Sequence, residues 1–371
     1  MEPQAIIPVT DPIPLPAPYW LFKLLLVLTF ILHIVAMNFL LGGGILAAFA
    51  RFFAKGRENY LLLANDTAKK LPAFFAATIT LGIAPLLFLQ VLYGQYFYTS
   101  SIIMAWPWLL VLALITLAYY GLYLVAFKNT GTSQAFSWAL LVSMVLIFVV
   151  GFLYSNNFTL MQTPAKWASK YFADSSGWNL NWGDRTLIPR FLHFFVAALA
   201  VGGLMVAGVG FFQWKKDASR ARFLMQYGGK WFMFATMAQF LVGIWFLVSL
   251  PREKMLLFMG DNLLATVAIF IGIGGGLAAI FIMSSALRQE DPRKGIAAAM
   301  ALTAIVIVFM AIMRDVLRDA YLQAYFQPSN FAIKTQWDVL ILFLVLFIAG
   351  VALWLVMIRR YFFSPASKAA S

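Results

Sequence analysis

Residues 19–50, YWLFKLLLVLTFILHIVAMNFLLGGGILAAFA, decide the fold class. The run contains one cation, Lys23, and no acid. A helix crosses the hydrocarbon core with roughly 20 mostly apolar residues. A strand would leave its backbone groups unpaired in lipid. Eight further stretches of the 371-residue chain read the same way: 71–97, 104–127, 135–158, 189–213, 230–250, 262–286, 296–314 and 337–358. The sequence therefore predicts an all-α, polytopic membrane protein. Nine transmembrane helices fill residues 19–358, between an exposed Pro-rich tail at 1–18 and a short tail at 359–371.

Composition points the same way. The chain is 63% hydrophobic and 11% charged, against roughly 45–50% and about 25% in a soluble domain. Too few charges remain to cover a water-facing surface, which excludes soluble enzyme folds and disorder. The absence of Cys excludes disulfides, iron–sulfur clusters, thiolate zinc sites and covalent c-type haem. With two histidines, metal or haem chemistry falls on His33, His193 and softer ligands such as methionine. The net charge of +13 does not indicate a nucleic-acid partner, because the cations sit in short connections between apolar runs. Residues 1–18 carry six prolines and no Lys or Arg, unlike the basic start of a secretory signal.

The connections encode an orientation. Seventeen of the 27 Lys and Arg residues fall on one side, within 51–70, 214–230, 288–294 and 359–368 and at Lys128. The positive-inside rule places that side in the cytoplasm, with the N-terminus outside. An odd number of spans demands opposite ends and agrees. Connections 159–188 and 315–336 are the longer ones on the outer side. Their tryptophans and tyrosines suit either a cap or docking surface, or an interfacial aromatic belt.

His33 lies about 15 Å inside the first span at 1.5 Å per residue. An ionisable group at that depth is a functional hypothesis, and neutral imidazole is a common axial ligand of haem iron. The plain alternative is a histidine bonded to a neighbouring backbone. His193 follows Pro189 and Arg190 near the start of its span. Both histidines precede a glycine cluster by nine or ten residues (Gly42–Gly44 and Gly202–Gly203), and each has a cation on its outer side, Lys23 or Arg190. A haem beside each helix would turn its propionates to those cations and its ring to the glycines; helix packing explains the same glycines. Arg314 and Arg318 share one helix face at i and i+4, beside Asp315 and Asp319. They suit either a carboxylate clamp or a solvated salt-bridge ladder. Gln90 could bond a quinone or a propionate, or serve as an interfacial anchor. Met255, Met259, Met310 and Met313 are candidate thioether ligands in a chain where packing explains most methionines. No carboxylate lies away from the span ends, which argues against a transporter with a charged midplane site.

Several of these stretches together resemble subunit I of the cytochrome bd quinol oxidase superfamily, over roughly residues 20–315. They are Lys23, His33 and Gly42 in the first span, Arg190 and His193 in the fifth, GIAPLLFLQVLYG at 82–94, and SNNFTLMQTP at 155–164. The resemblance implies nine spans and haems toward the outer face. It implies that His33 binds a haem of the buried pair, that His193 binds the low-spin haem b, and that Met259 or Met255 stands near that haem's Met position. There are departures. The long quinol loop is reduced to PREKMLLFMGDN, and the third-span glutamate pair is missing. So is the eighth-span glutamate. The GRQPW signature has no copy, with Arg314 or Arg318 in roughly its place.

The expected function is a membrane haem b electron-transfer subunit of the bacterial inner membrane. It would carry one or two haems b and work between the quinone pool and a periplasmic partner such as a c-type cytochrome, as a quinol-linked oxidoreductase subunit. The competing readings are a bd-type terminal quinol oxidase subunit and a cofactor-free transporter or scaffold. The orientation has its own test. Cysteine introduced at Ser175 should label with an impermeant maleimide in intact cells, and cysteine at Ser367 should not. The reverse pattern rejects the topology.

Overall fold

The computed structural model describes residues 7–8, 13–128, 134–326 and 331–363. Parts of both expected tails (1–6, 9–12 and 364–371) lie outside the described residues, Lys368 among them. The described residues form nine helices long and apolar enough to span a membrane. These are α1 (Tyr19–Phe52), α2 (Glu58–Ile103), α3 (Ala105–Lys128), α4 (Gln134–Met161), α6 (Leu187–Gln213), α7 (Ala218–Ser249), α9 (Leu263–Ala286), α10 (Arg293–Leu322) and α11 (Trp337–Phe363). Two short helices, α5 (Trp167–Ala173) and α8 (Arg252–Leu256), lie in connections. The chain is a multi-pass α-helical membrane protein.

Three helices run well beyond the apolar stretches. α2 begins at Glu58, so Lys69 and Lys70 are helical and not in a loop. α7 begins at Ala218, where Asp217 accepts the Arg220 amide at 2.9 Å as an N-cap. α10 continues to Leu322, so Arg314 and Arg318 lie inside it. Helical hydrogen bonding continues past the lipid boundary wherever the polar sequence permits, and hydropathy does not register that extension. In the connection before α10, Asp291 accepts from Arg293 Nη2 at 2.6 Å and Nε at 2.9 Å, which holds its carboxyl down to about 2.

The chain divides into two compact units. In the smaller, residues 10–24 with 327–371, Leu15 bridges to Ile333. Leu15 N–H donates to the Ala332 carbonyl at 2.8 Å, and Lys334 N–H to the Leu15 carbonyl at 2.9 Å. Tyr19 stacks on Phe331 with centroids 6.3 Å apart.

The larger unit, residues 1–9 and 25–326, holds the remaining spans. α6 packs with two different faces. Ala198 and Gly202, one turn apart, meet α1 at Gly42, where a Cβ would collide with the Ala198 carbonyl. Gly203, Ala207 and Gly210 form the other face against α7, where a Cβ on Gly203 would come within 2.6 Å of the Gly228 carbonyl oxygen. Lipid tails are as apolar as leucine, so membrane helices associate through close packing, and small residues allow it. The opposite faces carry lipid-exposed side chains such as Leu241, Phe270 and Phe281. At the far end, Arg51 ties α1 to α4 and α2, donating to Ser137 Oγ at 2.8 Å and Asn65 Oδ1 at 2.7 Å.

The α1–α6 contact is backbone against backbone and has no flexible side chain to yield. Gly42→Val should cost about 3 kcal/mol, at the upper end of ordinary overpacking. Gly274→Val, where nothing lies within 4 Å, should be near neutral. Thermal unfolding in detergent compares them, and equal midpoints would contradict the packing.

Candidate functional site

α1 and α6 run the same way along the bundle. His33 sits nine residues before Gly42 and His193 nine before Gly202. The Gly42–Gly202 crossing therefore holds the two histidines at one depth, each about 14 Å of helix from the contact. Each has a seat on a neighbouring helix. His33 Nδ1 lies 3.0 Å from the Thr78 carbonyl of α2. A carbonyl can only accept, so Nδ1 carries the proton and Nε2 keeps its lone pair. Gly82, one turn on, backs the ring; a Cβ there would come 2.9 Å from Cε1 and Nδ1.

His193 is seated against α7. Gly243 backs the ring, with a Cβ there 3.4 Å from Cε1. Phe246 lies 6.0 Å away, centroid to centroid. Gln239 Nε2 donates to the His193 carbonyl at 2.9 Å. Nδ1 is buried, and no hydrogen bond reaches it among the described residues.

Three arginines gather near the histidines, close enough for the charges of Arg318 and Arg190 to act on Arg314. Arg314 lies over Phe30 at 4.2 Å and Phe158 at 4.8 Å. Phe30 is one turn from His33 on the same face of α1. No carboxylate or hydrogen-bond acceptor meets Arg314 among the described residues. Arg318, 2% exposed, lies 4.4 Å over Tyr93 and pairs with Asp315, with Asp319 at 3.5 Å. Tyr93 donates to Asp319 Oδ1 at 2.6 Å from a non-helical kink in α2. Arg190 donates to Gln162 Oε1 at 2.8 Å and lies 5.2 Å over the same Phe246 that contacts His193. Arg318 Nε and Nη1 and Arg190 Nε are buried without a hydrogen-bond partner among the described residues.

Of the residues singled out from sequence, His33, His193, Arg190, Arg314 and Arg318 therefore form one connected cluster. Gln90, Met259 and Met255 do not join it. Gln90 accepts from Tyr98 at 3.3 Å on an exposed surface. Met259 is 62% exposed in the π-helical turn Leu257–Asp261, beside Gly260 at φ 133°. Met255 packs against the Leu250 and Phe258 cluster. Lys23, ten residues before His33 on α1, belongs to the smaller unit. No three His, Cys, Asp or Glu side chains converge on a point among the described residues.

Two expectations are corrected. The glycine clusters after each histidine do not face open space for a flat ring; Gly42, Gly202 and Gly203 are filled by neighbouring backbone, and Gly44 by Met144. Arg318 is not part of a solvated ladder but is fully enclosed. The reasoning from sequence missed Thr78, Gly82, Gly243, Phe246, Gln162 and Tyr93. Three had a signal: Gly82 and Tyr93 fall in the 82–94 stretch and Gln162 in SNNFTLMQTP. The others are ordinary residues of apolar helices until the helices pack.

No family model matches the chain, and no curated protein does. Solved structures are similar, among them the bd oxidase from Geobacillus thermodenitrificans, with a TM-score of 0.74 at 14% identity, covering 95% of this chain and 100% of that one. The fold is bd-oxidase-like. At that identity the likeness speaks to the architecture of nine apolar helices and leaves the chemistry to the side chains described above.

The Arg318 cluster carries a prediction. Removing one member of a buried, hydrogen-bonded charge pair costs about 3–5 kcal/mol. Arg318→Leu should lower stability by that order, and Arg318→Lys by less, because it keeps the charge and loses the fork geometry. Equal thermal midpoints for wild type and Arg318→Leu would rule out a structural role.

Proposed function

We propose that this chain is a haem b electron-transfer subunit of a bacterial inner membrane. It would lie with its N-terminus outside and work between the quinone pool and a periplasmic partner such as a c-type cytochrome. The observation that carries this reading is the pair of histidines held at one depth around a surplus of buried arginine. Among the described residues, His193 Nδ1, Arg190 Nε and Arg318 Nε and Nη1 are buried without a hydrogen-bond partner.

The residues fit the group. Thr78 holds the His33 proton on Nδ1 and leaves Nε2 as the ligating nitrogen, the arrangement that second-shell carbonyls impose on metal-binding histidines. His193 Nδ1 has lost its water and gained nothing, at a cost of about 1–3 kcal/mol, which ligation through this ring would offset. Guanidinium forks suit carboxylates; Arg314, which lies against aromatic rings and makes no ion pair among the described residues, and the unpartnered N–H groups of Arg190 and Arg318 are assigned to propionates. Lys23 is assigned the same role from charge alone. Gln90 would hold a propionate or quinone, and Met259 would offer a thioether ligand. A haem b bound here supplies reversible one-electron transfer at its iron. The protein's own part is to ligate, to neutralise the carboxylates and to keep water from the ring.

Dioxygen reduction is not included in the proposal. It consumes protons at a buried site, and α3 has no Asp or Glu, nor do residues 300–313 of α10. Protein purified in detergent should show a Soret band and a pyridine haemochrome of haem b, and His193→Ala should remove about half the haem. Quinol-driven dioxygen uptake should stay far below the roughly 10 per second of a typical enzyme. An unchanged haem content in His193→Ala rejects the ligand. Absence of any Soret band favours the cofactor-free transporter, and brisk uptake favours the oxidase.

A further inference from the structure

At the opposite, basic end of the larger unit, α2 and α7 enclose an aromatic groove of about 380 Å³. Its walls are Tyr60 of α2 and Phe223, Tyr227, Trp231 and Phe234 of α7, and Lys230 stands at its edge. The rings brace one another: Tyr60 to Phe223 at 5.0 Å and Tyr60 to Tyr227 at 5.6 Å. Tyr227 is fixed further by its hydroxyl, which donates to the Leu46 carbonyl at 2.9 Å. The groove is therefore a built shape and not a gap between mobile side chains.

Its position and charge identify what fits it. α7 carries Arg220, Arg222 and Lys230 and then no charge from Trp231 to Leu250. The groove thus straddles the level at which the helix leaves the headgroups for the hydrocarbon. Phe234, 65% exposed, opens its lower end to lipid. At the upper end Lys230 is exposed and makes no ion pair or hydrogen bond among the described residues, and the Arg57 guanidinium lies 5.6 Å over the Tyr60 ring. No acid lines the groove. Glu58, two residues before Tyr60, points about 200° away around α2. Asp66 is already engaged by Arg220.

We propose that this groove binds an acidic phospholipid, with its phosphate between Lys230 and Arg57 and its acyl chain along Trp231 and Phe234. Cations near a membrane surface contribute about 1 kcal/mol each toward anionic lipid, and the aromatic walls select an amphiphile over a free ion. The inference does not depend on any haem being bound.

The test uses the full chain, extracted from phosphatidylcholine vesicles containing a minor share of phosphatidylglycerol, with retained lipid counted by native mass spectrometry. Wild type should keep phosphatidylglycerol over phosphatidylcholine. Lys230→Gln should lower that preference about fivefold, as one lost cation implies. Lys215→Gln, at the same end but outside the groove, should not. Tyr60→Leu, which leaves every charge in place, should also weaken retention, so the proposal stays testable if Lys230→Gln fails to fold. Equal losses in Lys230→Gln and Lys215→Gln would reduce the effect to general surface charge and overturn the site. So would release of the lipid by millimolar inorganic phosphate, which would mean that the groove recognises the anion alone, or by a neutral quinone at comparable concentration.

Discussion

The backbone contact between Gly42 and Gly202 is the constraint on which the rest depends. It is the point where α1 and α6 come as close as two helices can. Because both helices run in the same direction, it sets their axial register. Every residue counted back from it on α1 then has a counterpart on α6. Phe30 and Arg190, His33 and His193 fall at comparable heights for that reason. The same helix meets α7 through its other small-residue face, which brings Gly243 and Phe246 to His193. A bundle assembled through bulky side chains would have more freedom to slide, because interlocking leucines tolerate repacking while backbone atoms do not.

The electrostatics follow from that register. Three guanidinium groups in a half-buried layer would be costly in a dry interior, and the chain manages them unequally. Arg318 has its charge met by Asp315 and Asp319 beside Tyr93. Arg190 has a neutral amide, Gln162, and a ring. Arg314 has rings and the more distant charge of Asp315 but no ion pair among the described residues, and cation–π contact offsets only part of a desolvated charge. The positive surplus therefore increases from Arg318 through Arg190 to Arg314, and it is greatest beside Phe30, one turn from His33.

The architecture was legible because one physical requirement dominates: backbone polar groups in lipid must be satisfied internally, and about 20 apolar residues are the visible result. The histidines and arginines were legible because a group that is expensive in a membrane stands out against leucine and phenylalanine. Their seats were hidden. Thr78 acts through its main-chain carbonyl, which carries no side-chain signature. Gly82 and Gly243 resemble every other small residue of a membrane helix. The glycines at 42–44 and 202–203 misled for the same reason, since close approach to a ring and close approach to a helix require the same missing Cβ. The thioether at Met259 could not be placed because its turn, bent at Gly260, follows neither helical nor strand periodicity.

The mooring of His33 has a mechanical side. Thr78 and Gly82 are one turn of α2, so a single short segment grips both an edge and a face of the imidazole. Three residues further on stands Pro85, which has no N–H to return to the Leu81 carbonyl, and the helix breaks its geometry again at Tyr93. The stiff ladder of α2 is thus interrupted between the turn that seats His33 and the tyrosine that carries Arg318. Bending α2 at that interruption tilts the imidazole relative to the arginine layer while leaving the Gly42–Gly202 crossing undisturbed. The angle of the ring is set by α2, and its depth by α6.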